Sequence, residues 1–575
     1  MRKNYWLLAV IAITNLMLFA LDYYGLFTTV LLFVPLYFLR DVQVEYSKRN
    51  LWILGLFAVI YIGINILSFN LNPPIRLTYY LIISFIKGLF FAGYILLYLS
   101  MKKRDWLYKE ASEFSAKQNR RYAVYVALAM VFVFIPFMIA FLPGNMFIDS
   151  YSQWGQAMGG IDLTDWHPFF TTILLRISYL LTESPIIYTL GQVAGMIFAV
   201  AYFAYILANH GLKKWISSTI IAGLVLMTVM VPNMVTIYKD NIYNIALFLL
   251  TLFTFQIIQT KGTWLKGHPM SWLLYLGTLI VVMFSRHNGL YVGITFLLLM
   301  VIFIQGTRKQ MFAILVGLIA LYSLYSGPLM ERYNVEPGSA SEKYSIMVQH
   351  MGAIIAEEKP IDATDVAFLE EILPLEIWQE KYTPSMADPV KFHSDYNKEV
   401  INDNQAEFLK TWWHLVSKYP LTALKAQLQQ IRPLWDINGY EHGLPGSVMF
   451  HYFINSPKAY YDDYVENYTF DVQGLRGFLE DYSFKENPYD METKPFITSL
   501  PAIAVFTILT VAIYLLVKRQ WQFVFVLMPG ILHIGTLVLA MPAYNMRYVL
   551  ALIFIAAFAL VLPVVTKKES GFLSK

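Results

Sequence analysis

The chain has no cysteine, which excludes a disulfide framework, a thiolate nucleophile and any cysteine-ligated metal centre. Charge is scarce as well. Asp, Glu, Lys and Arg make up 14% of the 575 residues, and the formal net charge is only +4. These charges fall in the segments between apolar runs, so no basic face of the kind that grips nucleic acid is present, and nucleic acid is not expected as a partner. Walker loops, dinucleotide fingerprints and a Ser-His-Asp order are missing from any supporting context. Internal repeats and low-complexity tracts are missing too.

What fills the chain is apolar: 57% hydrophobic and 16% aromatic residues, with a mean hydropathy of +0.51. Apolar runs recur at membrane-span length, which predicts an all-α polytopic membrane protein. At roughly 20 residues per crossing, about fourteen transmembrane helices are expected: 5–21, 26–39, 51–69, 79–99, 122–142, 186–208, 216–234, 243–259, 271–285, 289–305, 311–329, 495–517, 521–540 and 548–565. The first follows Arg2 and Lys3 in the manner of a signal peptide. It lacks a small-residue cleavage pattern before Asp22-Tyr23-Tyr24 and reads as a retained helix.

Lys and Arg set the orientation. Arg2/Lys3, Arg40/Lys48/Arg49, the run from Lys102 to Arg121, Lys213/Lys214, Lys261/Lys266, Arg308/Lys309, Lys518/Arg519 and Lys567/Lys568 occupy alternate loops. Those loops are expected in the cytoplasm of a cell with the protein in its plasma membrane, and both termini with them. The alternation requires 169–181, which carries Arg176, to be an amphipathic helix at the outer interface rather than a crossing. The chain then divides into a four-helix membrane segment (1–100), a basic cytoplasmic loop (101–121), a membrane core (122–330) with an external loop (143–185), an extracellular domain (331–494), C-terminal transmembrane helices (495–568) and a tail (569–575). The extracellular domain should be mainly helical, with apolar periodicity from Tyr396 to Tyr419, a stop at Pro420, and a second helix over Leu421–Ile431. Aromatics at helical spacing there, such as Trp412 and Trp413, read first as core; with Trp435, Tyr440 and His442 they alternatively offer a sugar-stacking surface.

The candidate chemistry collects on the outer face. Asp149 stands where the span 122–142 runs into a polar loop, with Gln153, Trp154, Asp162, Asp165, Trp166 and His167 close behind. Lys239-Asp240, Arg286-His287-Asn288-Gly289 and Tyr544-Asn545-Met546-Arg547-Tyr548 are external turns. Each has a plainer reading. Ser150 to Gln153 matches a capping box, which would make Asp149 a helix-dipole partner. His167-Pro168 suits a helix start, Lys239-Asp240 a surface ion pair, and the two Arg turns interfacial anchors. Yet Arg on the outer side runs against the inward bias, and its planar fork fits phosphate oxygens. Two Arg beside two Asp point to a phosphorylated, lipid-borne ligand.

In this order and spacing, Asp149-Ser150 with Gln153-Trp154, Asp165-Trp166-His167-Pro168, Tyr238-Lys239-Asp240, Arg286-His287-Asn288-Gly289, Arg547-Tyr548 and Lys418-Tyr419-Pro420 before a helix resemble the C-type (GT-C) membrane glycosyltransferases. That superfamily includes protein O-mannosyltransferases and the lipid A aminoarabinose transferase; the likeness is to a bacterial group within it and covers roughly 121–568. It implies a GT-C-like fold and transfer of a sugar from a polyprenyl-phosphate donor to a glycan, lipid or protein acceptor of the cell envelope. Nucleotide sugars are not expected.

By residue, the resemblance implies Asp149 as base with Asp240, Asp165 and His167 as further catalytic groups. Arg547, Arg286, Lys239, Tyr548 and His287 would hold the donor phosphate, and Gln153, Trp154 and Trp166 the acceptor or sugar. A divalent cation held by Asp149, Asp165 and His167 stays open as cofactor. So do inverting and retaining outcomes. A lipid-linked glycan polymerase or ligase would share the external Arg residues without needing the Asp149 and Asp240 pair. A secondary transporter or flippase would show repeats and mid-span charges. The family's paired first-loop acids are replaced here by Asp149-Ser150.

Overall fold

A computed structural model describes residues 5–20, 116–146, 148–225, 230–267, 269–338, 340–436, 474–484, 495–543 and 545–566, with isolated positions between 52 and 86. The expected span 26–39, all but those isolated positions of 51–69 and 79–99, most of the basic loop 101–121, and Tyr440, His442 and Tyr460–Tyr468 lie outside the described residues.

Helices carry the described chain, and no strand forms among them. In order, those that matter here are α1 (Tyr5–Ala20), α2 (Ala116–Phe141), α3 (Ile148–Met158), α4 (Phe169–Thr182), α5 (Ile186–Asn209), α6 (Lys239–Gln259), α7 (Pro269–Phe284), α8 (His287–Phe303) and α9 (Arg308–Leu324). They continue with α10 (Ser345–Ala356), α11 (Gln405–Lys418), α12 (Pro420–Gln430), α13 (Pro495–Val517), α14 (Trp521–Ala540) and α15 (Leu550–Val565).

Five stretches among the described residues are long and apolar enough to cross a membrane: Ala116–Phe141, Ile186–Asn209, Lys239–Gln259, Gln305–Arg332 and Trp521–Ala540. Shorter apolar helices stand at most of the other expected positions. One of them, α8, runs for 17 residues from His287 to Phe303, the length of the expected span 289–305, and is about 25 Å long at 1.5 Å per residue, just short of a hydrocarbon core of about 30 Å. Of the expected span 216–234, the described residues are helical over Lys214–Val225 and Met230–Val235. The amphipathic segment is a helix over Phe169–Thr182 as its pattern requires.

The centre of the bundle is α6, apolar around its whole circumference, with 83% of its most apolar window buried; a helix without a polar face can only be satisfied inside. It packs against α5, α7, α14 and α15. Glycine lets α7 and α8 close into a tight hairpin: a Cβ on Gly289 would sit 1.9 Å from the Val282 carbonyl oxygen, so only glycine fits that approach.

Residues 345–430 build a second hydrophobic core of their own around Met351, Ile354, Leu369, Trp378, Phe408 and Leu415. Pro420 begins α12 instead of merely ending the helix before it, in keeping with proline's fit to the first helical position. The expected helix over 396–419 divides into Lys398–Asp403 and Gln405–Lys418. Trp412 is half-buried against this core and donates its indole N–H to His350 Nδ1 at 3.2 Å; Trp413 is exposed. The unit is joined to α14 and the stretch after it. Gln427 Nε2 donates to the Val538 carbonyl at 2.6 Å, Gln430 Nε2 to the Pro542 carbonyl at 3.0 Å, and Met386 forms an antiparallel bridge with Ala543.

Candidate functional site

Asp149 owes its place to a backbone stitch. After the left-handed Gly144 (φ 146°), Asn145 pairs in parallel with Thr236: its N–H donates to the Val235 carbonyl at 3.0 Å, and the Ile237 N–H donates back to the Asn145 carbonyl at 2.8 Å. Ser150 Oγ then donates to the Ile237 carbonyl. These bonds bring the first turn of α3 beside the first turn of α6, so Asp149 meets Lys239 across 90 residues of sequence. The capping box does not form. Ser150 is inside the helix with its hydroxyl on Ile237, and the Gln153 amide donates to Thr171 Oγ1 at 2.5 Å and Thr172 Oγ1 at 3.3 Å.

Four segments distant in sequence deliver one cluster. Asp149 Oδ2 accepts from Arg547 Nη1 at 2.8 Å and from Lys239 Nζ at 3.3 Å. Lys239 also donates to His167 Nδ1 at 2.9 Å, and His167 Nε2 lies 4.0 Å from Asp149 Oδ1. Asp240 Oδ1 accepts from Arg286 Nη1, while its Oδ2, 3.7 Å from Arg547 Nε, has no hydrogen-bond partner among the described residues. Tyr548 acts as a spacer: its hydroxyl accepts from Arg547 Nη2 at 2.8 Å, and its ring lies 4.8 Å from the Arg286 guanidinium and 4.9 Å from that of Arg547. Tyr238 covers the other side of Arg547 at 5.2 Å.

Among the described residues that form these ion pairs, three cations, Lys239, Arg286 and Arg547, meet two carboxylates, Asp149 and Asp240. Asp149, His167, Lys239, Arg286 and Arg547 keep 11–20% of their side-chain surface accessible, so the cluster is open to a small polar ligand. Burial alone would push the Asp149 carboxyl up, but Arg547, Lys239 and His167 outweigh it and hold the group far below the usual carboxylate range.

His167 is pushed down to about 3, first by burial and then by the Lys239 ammonium. It is therefore neutral at ordinary pH, accepting at Nδ1 with its proton on Nε2. Because this folded value lies below the ordinary 6.5, the neutral imidazole's contribution to stability is complete above that pH and drains away as pH falls toward about 3. We expect the thermal midpoint in detergent to drop between about pH 7 and pH 5, with a flatter profile for His167→Gln; superimposable profiles would show that His167 does not carry the effect.

Other expected residues stand elsewhere. Trp154 is fully buried, edge-on to Tyr179 at 5.7 Å, and Gln153 is buried on Thr171 and Thr172. Both are packing residues here and do not face an acceptor, because α3 turns that side onto α4. Trp166 does reach solvent. It is 47% exposed, stacked on His167 at 5.8 Å and on Phe392 of the 345–430 unit at 6.1 Å.

Asp165 turns away from Asp149. Its Oδ1 accepts from the Phe169 N–H at 2.9 Å, its Oδ2 is 3.9 Å from His287 Nδ1, and burial pushes its carboxyl up. His287 donates to the Asp165 carbonyl oxygen at 3.0 Å and is outside the charge cluster. A divalent cation therefore does not fit Asp149, Asp165 and His167: Asp165 points away to the Phe169 N–H and His287, and two fixed cations, Arg547 and Lys239, already hold Asp149. The described residues whose donor atoms do converge are Asp362, Asp365 and His414. Their charge is met internally, with His414 Nδ1 at 2.6 Å from Asp365 and Lys418 Nζ at 2.6 Å from Asp362.

Tyr238, quoted in the sequence only as part of a motif, covers Arg547; sequence reasoning missed Asn244, which holds the Arg547 carbonyl, His533, which holds that of Tyr548, and Asp388. Burial pushes the Asp388 carboxyl up, with smaller influences from Lys391, Glu342, Arg547 and Asp149. The bridge between Met386 and Ala543 brings its segment to the Arg547 turn.

A family model described as a family of unknown function, DUF6020, matches residues 154–572, a stretch that holds Lys239, Asp240, Arg286 and Arg547 and begins just after Asp149. No curated protein and no solved structure matches the chain.

Proposed function

The chain belongs to DUF6020, a family of unknown function, so its activity has to be read from the site, and we propose that it is a GT-C-like membrane glycosyltransferase. It moves a sugar from a polyprenyl-phosphate donor to a cell-envelope acceptor, at an active site on the outer face of a bundle of about fourteen spans. The observation that carries this reading is the convergence of Arg547 and Lys239 on an ionised Asp149, with Arg286 beside them on Asp240. The motif order shared with GT-C enzymes supports it.

A phosphodiester carries one negative charge, which three converging cations can hold. Arg547, Arg286 and Lys239 are the groups that take its oxygens, Arg through the planar fork and Lys as a point charge. The donor phosphate competes with Asp149 for Arg547 and Lys239. As those cations swing their hydrogen bonds to phosphate, Asp149 loses the partners that depress its basicity and becomes able to take a proton. The acceptor hydroxyl gives that proton to Asp149, its oxygen bonds to the anomeric carbon, and the bond from that carbon to the phosphate oxygen breaks with its electron pair leaving on the lipid phosphate. The two arginines then face the developing charge. Trp166, exposed above His167, offers a ring for sugar stacking.

The test is transfer of radiolabelled sugar from a panel of polyprenyl-phosphate sugars into membranes holding wild type or Asp149→Asn at matched expression and fold. Loss of transfer by about 10²- to 10⁴-fold, the usual worth of a positioned base, is expected. Equal signals would remove Asp149 from the chemistry. No transfer from any donor would overturn the transferase reading in favour of a flippase or transporter.

A further inference from the structure

Arg547 sits on a single turn, Met546–Tyr548, between α14 and α15. A turn this short presents its backbone groups to the bundle interior, where no water replaces a missing partner. Side chains from two helices take them. Asn244 of α6 donates its amide to the Arg547 carbonyl at 2.8 Å, and His533 of α14 meets the Tyr548 carbonyl through Nε2 at 2.7 Å. A carbonyl can only accept, so the His533 proton is on Nε2 and Nδ1 accepts from the Tyr243 hydroxyl at 3.1 Å.

The same network reaches the second arginine. Tyr243 carries the Arg286 guanidinium over its ring at 5.5 Å. Arg286 Nε donates to Asn288 Oδ1 at 3.1 Å, Asn288 Nδ2 donates to Thr536 Oγ1 at 3.0 Å, and the Thr536 hydroxyl donates to the His533 carbonyl at 2.8 Å. His533 is wholly buried. A polar side chain at that depth is costly unless it has a task, and nothing here requires histidine for packing alone.

We infer that His533, with Asn244, is a positioning residue that fixes the spacing of Arg547 and Arg286 so that both grip one phosphate group. This rests on reading the two arginines as the donor-phosphate grip, and it is chosen to be testable apart from that reading. The first measurement needs no substrate: the non-additivity of Asp149→Asn and Arg547→Met in thermal unfolding, determined in wild type, His533→Leu and His533→Gln backgrounds. Glutamine keeps one donor and one acceptor, whereas leucine keeps neither. The non-additive shift should survive in His533→Gln and shrink by about half or more in His533→Leu. A lowered melting temperature in His533→Leu with the non-additivity intact would overturn the inference and leave His533 a packing residue. Should the leucine variant fail to fold, His533→Asn, polar but too short to span both partners, takes its place in the comparison.

In the transfer assay, His533→Leu should lower kcat about 10- to 100-fold, as outer-sphere supports commonly do. The acceptor KM should be unchanged, with recovery in His533→Gln. Absence of transfer in the wild type would sink the transferase reading while the unfolding cycle still decides this one.

Discussion

Asp240→Ala is expected to destabilise the protein by about 3–5 kcal/mol, the usual consequence of removing one partner of a buried ion pair. Asp240 is wholly buried, and its partner Arg286 keeps only 11% of its side-chain surface. Alanine would leave that guanidinium in the bundle with Asn288 as its remaining hydrogen-bond acceptor among the contacts seen here, and would remove the carboxylate 3.7 Å from Arg547 Nε. Asp240→Asn keeps an acceptor oxygen for Arg286 and should cost distinctly less. Thermal unfolding in detergent measures both. A loss under about 1 kcal/mol, the worth of an exposed pair, would mean that Arg286 is compensated by something other than Asp240.

Arg547→Ala should lower kcat for sugar transfer by about 10²- to 10³-fold, the range seen when one fixed donor to a developing oxyanion is removed. A second signature separates this from misfolding. With the largest opposing cation gone, burial dominates at Asp149 and its carboxyl moves up toward and beyond the ordinary range. The acidic limb of the pH–rate profile should then shift to higher pH. Arg547→Lys should restore little, because a point charge cannot donate to Asp149 and the Tyr548 hydroxyl from one planar fork. A kcat loss with an unmoved acidic limb would break the link between Arg547 and Asp149.

Every charged member of this cluster was legible one at a time. Asp149, Lys239, Asp240, Arg286 and Arg547 stand at the ends of apolar runs, where a charge is conspicuous against its surroundings. That they converge was legible only as shared sidedness; the contact between Arg547 and Asp149 joins residues 398 apart. What escaped was the support. Asn244 and His533 lie within apolar helices, and a lone amide or imidazole there gives no pattern to read.

Errors clustered where neighbours in sequence were assumed to share a surface. Gln153 and Trp154 follow Asp149 by one helical turn, yet they pack on α4. Asp165 and His167, two positions apart in a segment without helix, send their side chains to different partners, the Phe169 N–H and the Lys239 ammonium. Apolar runs were more legible: α8, His287–Phe303, lies within two residues of the expected 289–305.

The two glutamine bonds described for α12 have a mechanical meaning. Gln427 and Gln430 grip the Val538 and Pro542 carbonyls, which lie on the short stretch between His533 and Arg547. The 345–430 unit is thus bolted to the lever that carries the arginine. The second of these holds is made five residues before the arginine whose guanidinium bonds to Asp149.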